Sequence, residues 1–352
     1  MNNTYDYVFI TNLPAFYKIN LYNKLSEELN IRVVFISKSS SIRMSDFMKG
    51  EINFDYDVIC NGNFEERNKL VCLYRLLIIL SSIQFKKIVY PGWELIELIP
   101  LMVMLGKNRN SMVIESSIKE SRTSGLVWNV KKFLINRMSI LFPSGKLQCD
   151  IVDKSGFEGD VVLTHGVGIP SRDASRFYRE IMDRLIGKDD IKYLYVGRLS
   201  QEKNLEFLVR YFNNSNKSLS IVGNGKDEEL LKRIAGSNVK LLGYIPNEEL
   251  HHIYRDHDCF IIPSLSEPWG LVVDEALWNG MPVIASSQVG CAYDMVTSVQ
   301  SGLVFEPDCF SSLDKAINNL EVNYLHYLSN VNDIDFSVRD ANQVRAYISV
   351  IK

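Results

Sequence analysis

The chain has 352 residues, of which 46% are apolar and 23% are charged, and its formal net charge is −3. This composition is typical of a globular protein and excludes a disordered one. The mildly acidic balance disfavours nucleic acid as a partner. Because the length exceeds what one ordinary core fills, we expect two domains of roughly 150 residues each.

The cysteines and the apolar stretches bear on the cellular compartment. The six cysteines are scattered, without a CxxC pair or the Cys/His spacing of a zinc site, so we expect reduced packing residues in a cytoplasmic protein. The start, MNNTYDYVFITNL, lacks the basic and apolar regions of a signal peptide. The stretches LVCLYRLLIIL and LIELIPLMVML are interrupted by Arg75 and Glu97 and are too short to span a bilayer.

The charge is unevenly distributed along the chain. Residues 1–165 include 20 basic and 17 acidic residues, whereas residues 166–352 include 19 and 25. Within residues 69–146 the counts are 12 basic and 4 acidic. Such a basic, apolar-rich segment fits contact with an anionic membrane surface, and it equally fits ordinary solvated helix faces.

The first half of the chain alternates short apolar runs with helical stretches. We predict strands at YDYVFIT, IRVVFIS, KIVYP, SMVIES, SILFPS and DVVLTH. Between them we predict helices at NLYNKLSEEL, RNKLVCLYRLLIIL, WELIELIPLMVML, VWNVKKFLINRM and KLQCDIVDKSG. This alternation predicts a parallel sheet with helices on both faces.

A second series follows a Gly- and Pro-containing linker, THGVGIPSRD. Its predicted strands are IKYLYVG, KSLSIVG, NVKLLGY, CFIIP, PVIAS and GLVFE, again with helices between them. The predicted fold class is therefore α/β, with two doubly wound, Rossmann-like domains facing a central cleft. We expect the domains to cover residues 1–168 and 169–337, with a helix over about 338–352 after the second.

The stretch IPSLSEPWGLVVDEALWNGMPVIAS, residues 262–286, is the most informative part of the chain. It predicts a strand end, a loop containing Glu267, a helix from near Gly270 that contains Glu275, and a further strand. Both acids then face the carboxyl edge of the sheet, where open α/β sheets bind ligands. Backbone N–H groups at Gly270 and Leu271 suit phosphate oxygens. By themselves the two carboxylates also allow a hydrolase-like acid/base pair.

Two earlier loops are expected to lie at the same edge of the sheet. In VGRLSQEKN, Arg198 and Lys203 follow a strand, and two cations there can hold a diphosphate. The alternative is an exposed turn with ordinary charges. In SIVGNGKDEEL, Gly223 and Gly225 begin a GxG pattern, but Glu228 stands where a dinucleotide fingerprint needs its third glycine.

The order GRLSQEKN, IVGNGKDEEL, VKLLGYIPNEEL and PSLSEPWGLVVDEALWNGMPVIAS resembles the carboxyl-terminal domain of glycosyltransferase family four, retaining enzymes of GT-B fold, over roughly residues 190–305. The resemblance implies a donor site formed by Gly197, Arg198, Lys203, Gly223, Glu267, Gly270, Leu271 and Glu275. In it, Arg198 and Lys203 bind the donor diphosphate, Glu267 contacts the transferred sugar, and Glu275 holds the ribose hydroxyls. Glu267, Arg198 and Lys203 are the expected catalytic residues. The resemblance also implies a last helix that crosses back to the first domain, and no bound metal or other cofactor.

The first domain matches the family less well, and its acceptor-side residues are weaker predictions. Glu115 and Ser116 follow a strand, Trp93 follows another in PGWE, and His165 ends the last strand of this domain. Each is a candidate for the acceptor side, and each is also compatible with an ordinary polar or packing role. Asp55 and Asp57 spell DxD, which we interpret as a loop that leads into the strand VIC rather than as a metal site.

These features predict a retaining glycosyltransferase that moves a sugar from a UDP- or GDP-sugar to a hydroxyl of a glycan. The resemblance implies a polyprenyl-diphosphate-linked acceptor at the inner face of the cell membrane, as in O-antigen, lipopolysaccharide or capsule synthesis. A nucleotide-sugar epimerase of the same fold and a non-catalytic nucleotide-sugar-binding protein are the alternatives.

Overall fold

The computed structural model describes residues 4–43, 45–172, 176–178 and 191–351. Two compact units divide the chain: one contains residues 1–171 and 337–352, and the other contains residues 172–336. The sequence predicted boundaries at 168/169 and 337/338. Asp173, the last residue of the predicted linker, lies outside the described residues.

The first unit contains a seven-stranded parallel sheet in the order β3-β2-β1-β4-β5-β6-β7. Its strands are β1 (Tyr5–Thr11), β2 (Ile31–Ser39), β3 (Asp55–Asn63), β4 (Phe85–Tyr90), β5 (Asn110–Ile114), β6 (Ile140–Pro143) and β7 (Asp160–Val161). Its helices are α1 (Phe16–Ser26), α2 (Lys69–Ser81), α3 (Ile99–Met104), α4 (Gly125–Ile135) and α5 (Lys146–Ser155). Four short 3₁₀ turns cover Ser45–Met48, Phe64–Glu66, Ile96–Leu98 and Lys107–Arg109. The central strands are continuous buried apolar runs, as expected of a parallel sheet covered on both faces.

Strand β3 corrects the sequence interpretation of Asp55 and Asp57 as a loop. Both residues lie in this edge strand, which pairs in parallel with β2. Arg32 donates from Nε to Asp57 Oδ2 at 2.7 Å, and the Tyr5 hydroxyl donates to Asp55 Oδ2 at 2.7 Å. The acids were misleading because an edge strand tolerates charged side chains that a central strand does not.

Two apolar cores cover the two faces of this sheet. Helices α2 to α5 pack on one face. Helix α1 and the last helix of the chain, α12 (Phe336–Ile348), pack on the other. The Tyr7 hydroxyl donates to the carbonyl of Tyr347 at 2.9 Å, and the ring of Tyr347 lies 4.6 Å from that of Phe142. The tail helix therefore belongs to the first unit, as the family resemblance implied.

The second unit contains a six-stranded parallel sheet in the order β10-β9-β8-β11-β12-β13. Its strands are β8 (Lys192–Val196), β9 (Ser218–Val222), β10 (Val239–Gly243), β11 (Cys259–Ile262), β12 (Val283–Ser286) and β13 (Gly302–Phe305). Its helices are α6 (Leu205–Asn213), α7 (Glu228–Ile234), α8 (Asn247–Asp256), α9 (Leu271–Trp278), α10 (Phe310–Val322) and α11 (Tyr324–Asn332). A 3₁₀ turn covers Gln201–Lys203, and a π-helical turn covers Ala292–Thr297. The strand order reverses between β8 and β11, so the loops that follow these strands meet at a topological switch point.

Candidate functional site

The loops after β8 and β11 are joined to each other in the second unit. The backbone N–H of Leu265 donates to the carbonyl of Glu202 at 2.8 Å. Glu267 forms an isolated parallel bridge with Val289, and its carbonyl accepts from the N–H of Gly290 at 2.9 Å. The backbone that presents Glu267 is therefore fixed on both sides.

Lys203 and Glu267 form an ion pair at this switch point. Lys203 ends the 3₁₀ turn after β8, and its Nζ lies 2.5 Å from Oε2 of Glu267. Their side chains are only 10% and 16% exposed. Because charges removed from water to this extent are costly unless they are well paired, the two groups hold each other in place. The sequence prediction placed both residues at one sheet edge, and the structure brings their charged ends into contact.

Arg198 lies in a neighbouring and more exposed ion pair. Its Nη2 lies 3.1 Å from Oε1 of Glu202, and the same oxygen accepts from the Ser200 hydroxyl at 2.6 Å. Although partial burial raises the pKa of Glu202, hydrogen bonds from Ser200 and the backbone, together with Arg198, lower it below its ordinary value. Glu202 is thus an anion that pairs with the Arg198 guanidinium.

The glycines of the GxG pattern after β9 allow this loop to pack closely against the backbone of the loop after β8. A Cβ at Gly223 would lie 1.8 Å from the carbonyl oxygen of Gly197, and one at Gly225 would lie 2.2 Å from that of Leu199. The N–H of Gly197 donates to the carbonyl of Val222 at 3.0 Å, and that of Leu199 donates to the carbonyl of Asn224 at 2.8 Å. Gly197 and Gly223 therefore hold the loop that carries Arg198 and Lys203 against the next strand end.

Gly270 ends the Glu267 loop and begins helix α9. Its φ of +100° lies in the left-handed region that favours glycine, and a Cβ there would meet Val289 Cγ1 at 3.1 Å. The first backbone N–H groups of an α-helix, here from Leu271 onwards, have no acceptor within the helix. These donors therefore follow the Glu267 loop directly in the sequence, and their role in phosphate binding stays a prediction.

Glu275 lies one turn into α9 and is partly buried. The Tyr254 hydroxyl donates to its Oε2 at 3.0 Å. Burial raises the pKa of Glu275 to about 7, the negative charge of Asp274 acts in the same direction, and the Tyr254 hydrogen bond opposes both. The carboxylate therefore changes charge near neutral pH, which the sequence did not indicate.

The neighbouring Asp274 forms a second buried contact that sequence reasoning missed. Its Oδ1 lies 2.7 Å from Nη1 of Arg172, whose guanidinium lies over the rings of Trp278 and Phe336, 4.7 Å from each centroid. The available signal was the Asp-Glu doublet inside an otherwise apolar helix. Nothing in the sequence pattern indicated that Arg172, a hundred positions away, is its partner.

The candidates for the acceptor side lie in the first unit. Glu115, just after β5, forms an ion pair with the buried Lys18 of α1, and its carbonyl accepts from Gln148 Nε2 at 3.3 Å. Ser116 lies beside it and is half-buried. Lys18 is a missed member of this group, since a buried lysine on an aromatic helix leaves no local sequence signal.

The other two acceptor-side candidates are separate from this pair. Trp93 packs against the α2–α5 core, and Lys131 Nζ lies 4.9 Å from its ring centroid, so one ring face already has a cation over it. His165 is exposed, adopts a φ of +59°, and accepts from Arg339 through its backbone carbonyl at 3.4 Å. Their acceptor roles remain predictions.

Comparison with known proteins finds a family match over most of the second unit. Residues 179–330 match the family model described as glycosyl transferases group 1. The sulfoquinovosyl transferase of Arabidopsis thaliana is 28% identical over 209 residues, which cover 55% of this chain and 41% of that protein. The chain spans about half or less of the length of the curated relatives it matches.

Solved structures extend the similarity of fold to both units. The apo lipopolysaccharide outer core galactosyltransferase WaaB superposes with a TM-score of 0.70 at 13% identity, covering 98% of this chain and 99% of that one. An Anabaena protein in complex with UDP and glucose gives a TM-score of 0.66 at 14% identity, covering 99% and 97%. The fold is GT-B, and the similarity to the glycosyl transferases group 1 covers residues 179–330.

Proposed function

We propose that this protein is a retaining glycosyltransferase, of hexosyltransferase type, that moves a sugar from a nucleoside-diphosphate sugar to a hydroxyl of a glycan acceptor. The observation that carries the proposal is the Lys203–Glu267 ion pair at the switch point of the second sheet. The pair joins the buried Lys203 to the carboxylate of Glu267, which is 16% exposed and lies in the loop that leads into α9. Such a site offers one group of each sign to a substrate that has a charged diphosphate and a neutral sugar.

The cations and the helix amides bind the donor diphosphate. Lys203 and Arg198 neutralise the charge that develops on the departing nucleoside diphosphate, and the N–H groups at Gly270 and Leu271 donate to its oxygens. We propose that these groups supply the positive charge that the reaction needs, without a bound metal. When phosphate oxygens of the donor replace the Glu202 carboxylate, the Arg198 guanidinium binds the donor.

The two glutamates bind neutral hydroxyl groups. Glu267, once Lys203 turns to the phosphate, accepts hydrogen bonds from the hydroxyls of the transferred sugar. Glu275 accepts from the ribose hydroxyls, and it does so best as a carboxylate because an ionised group makes stronger hydrogen bonds. The two acids therefore orient the donor and are not a hydrolase-like acid/base pair.

The transfer keeps the anomeric configuration of the sugar. The bond between the anomeric carbon and the diphosphate oxygen breaks, and the acceptor hydroxyl forms the new bond from the same face. The departing phosphate oxygen takes the proton of that hydroxyl. The contribution of the protein is positioning and electrostatic stabilisation, and Glu267 forms no covalent bond to the sugar.

For the acceptor we propose a polyprenyl-diphosphate-linked saccharide at the inner face of the cell membrane, in the synthesis of an O-antigen, lipopolysaccharide or capsule. The basic segment 69–146 supports a location at an anionic membrane surface. The similarity in fold to a lipopolysaccharide galactosyltransferase supports a surface-glycan acceptor. The attachment that we propose is peripheral. Within the described residues, no helix is both long enough and apolar enough to cross a bilayer.

A screen of UDP- and GDP-sugars with and without lipid-linked glycan tests the function. Release of nucleoside diphosphate only when the glycan is present supports transfer. Conversion of the donor without an acceptor identifies an epimerase, and binding without turnover identifies a sensor; either result overturns the proposal.

A further inference from the structure

Helices α2, α3 and α4 of the first unit carry an unusual amount of outward-facing apolar surface. Of the 22 large apolar side chains that are exposed in the described residues, 11 lie between positions 70 and 133. They are Leu70, Val71, Tyr74, Ile78, Ile96, Val103, Met104, Leu126, Val127, Val130 and Phe133. We call this set the apolar patch. A contiguous exposed patch of this kind marks an interaction surface.

Helix α2 is apolar on both of its faces. Cys72 and Leu76 point into the core of the first unit. Leu70, Tyr74 and Ile78, spaced four positions apart, are exposed on another side of the helix, with Leu70 at 79%. A helix that covers a sheet in water normally has a polar outer face.

Helix α4 repeats this arrangement. Trp128 and Leu134 are buried in the same core. Leu126, Val130 and Phe133 lie four and three positions apart and are exposed, with Leu126 at 84%. Two helices on one face of the sheet therefore have apolar outer sides, and contact with water alone does not favour such a composition.

The parts of the apolar patch lie side by side. Helix α2 packs on the 3₁₀ turn Ile96–Leu98, and α3, which continues this turn, packs on α4. All three helices share the core on one face of the sheet. A groove of about 780 Å³ between α2 and α3, lined by Leu77, Leu80, Leu101 and Met104 among others, extends the apolar surface.

Positive charges outnumber negative ones around the apolar patch, and the acids Glu94 and Glu120 lie close enough to Lys131 to act on it. Helix α2 includes Lys69 and Arg75, helix α4 includes Lys131 and Lys132, and neither helix includes an acid. Two acids of the surrounding segment are neutralised within the unit, because Glu97 pairs with Arg67 and Glu115 pairs with Lys18. The outer surface is thus apolar and cationic together.

We propose that the apolar patch is the surface by which the protein docks on an anionic lipid bilayer. Exposed apolar side chains insert at the level of the lipid headgroups, and the surrounding cations contact anionic lipid. A second copy of the chain fits less well, since a symmetric dimer would place two cationic surfaces against each other. This proposal rests on the membrane location proposed above and names the surface that makes the contact. The apolar patch shares no residue with the proposed donor site in the second unit.

Co-sedimentation with vesicles tests this surface. The full chain is mixed with vesicles of phosphatidylcholine alone and of phosphatidylcholine with phosphatidylglycerol, at low and high salt. The variants are Tyr74→Glu with Leu126→Glu in the patch, and Lys69→Gln with Lys132→Gln at its edge. The controls in the second unit are Val322→Glu, which is 83% exposed, and the exposed Lys240→Gln.

The wild-type protein and both controls should bind the anionic vesicles, and salt should weaken this binding. The patch variant should bind at least about tenfold more weakly, and each lost cation should cost about fivefold. Binding that is absent in the wild type, or equal in the patch variant and its control, would overturn the proposal. So would a wild-type dimer in light scattering that the patch variant abolishes, because the patch would then join two copies of the chain.

Donor-induced thermal stabilisation of the same variants is measured in parallel. It reports on the fold and on the donor site independently of lipid. Loss of vesicle binding with an unchanged donor response assigns the effect to the apolar patch. If the donor does not stabilise the wild-type protein, the proposed function is contradicted. The docking proposal is then judged by the vesicle data alone.

Discussion

Replacement of Glu275 by glutamine should stabilise the second unit above neutral pH and have little effect in mild acid. Burial raises the pKa of this carboxyl from 4.5 to about 7 in the folded chain. The folded protein therefore binds the proton more tightly than the unfolded protein does. The stability that Glu275 contributes is fully present below pH 4.5 and is lost as the pH rises through about 7.

The magnitude follows from the size of the shift. Each pKa unit corresponds to about 1.4 kcal/mol, so full ionisation of Glu275 costs about 3 kcal/mol of folding free energy. Between about pH 5 and about pH 8.5, the wild-type protein should lose about 2–3 kcal/mol relative to Glu275→Gln. Glutamine has no titrating group and can still accept the Tyr254 hydrogen bond.

Urea unfolding of both proteins at the two pH values measures this difference. Trp269 is buried beside α9 and Trp278 lies within it, so tryptophan fluorescence reports on the second unit once Trp93 and Trp128 of the first unit are replaced by phenylalanine in every protein compared. Glu249→Gln, at an exposed position on α8, is the matched control and should show no such pH dependence. A free-energy difference between wild type and Glu275→Gln that is the same at both pH values would refute the reasoning.

Three further predictions concern the same unit. Gly223→Ala should destabilise it by at least about 2 kcal/mol in urea unfolding, because the new Cβ would collide with the carbonyl of Gly197; Gly62→Ala, where the space is open, should change stability by less than about 0.5 kcal/mol, and equal effects would contradict the packing role. Tyr254→Phe removes a hydrogen bond that lowers the pKa of Glu275, so the pH below which the donor KM rises should move upward; an unchanged pH profile would exclude Glu275 from donor binding. Intact mass spectrometry with a slow donor analogue should show the unmodified protein, whereas a glycosylated Glu267 would refute the retaining route proposed here.

The alternation of apolar runs and helical stretches was enough to predict the fold. Strands such as β1 and β11 are continuous apolar runs that end at turn residues, and in a parallel sheet such runs are local features. Strand β3 was missed at its start because Asp55 and Asp57 make it look polar. Their partners, Tyr5 and Arg32, lie on other strands, and a local pattern does not show them.

The candidate donor site was predictable in position but not in its contacts. Loops at the carboxyl ends of strands meet at the switch point, which is why Lys203 and Glu267 could be placed at one edge. That Lys203 and Glu267 pair directly depends on side-chain geometry across 64 positions of the chain, and that Arg198 pairs with Glu202 depends on the shape of the loop between them. The raised pKa of Glu275 depends on burial beneath Tyr254, which a sequence pattern does not encode.

The rate of nucleoside diphosphate release by Lys203→Ala tests the central claim most directly. The donor and lipid-linked acceptor are those found in the screen, and Lys240→Ala is the control at an exposed position. If Lys203 stabilises the departing diphosphate, kcat should fall by about a hundredfold or more, with the protein still folded by circular dichroism and the control unchanged. Turnover of Lys203→Ala at the wild-type rate would contradict the account.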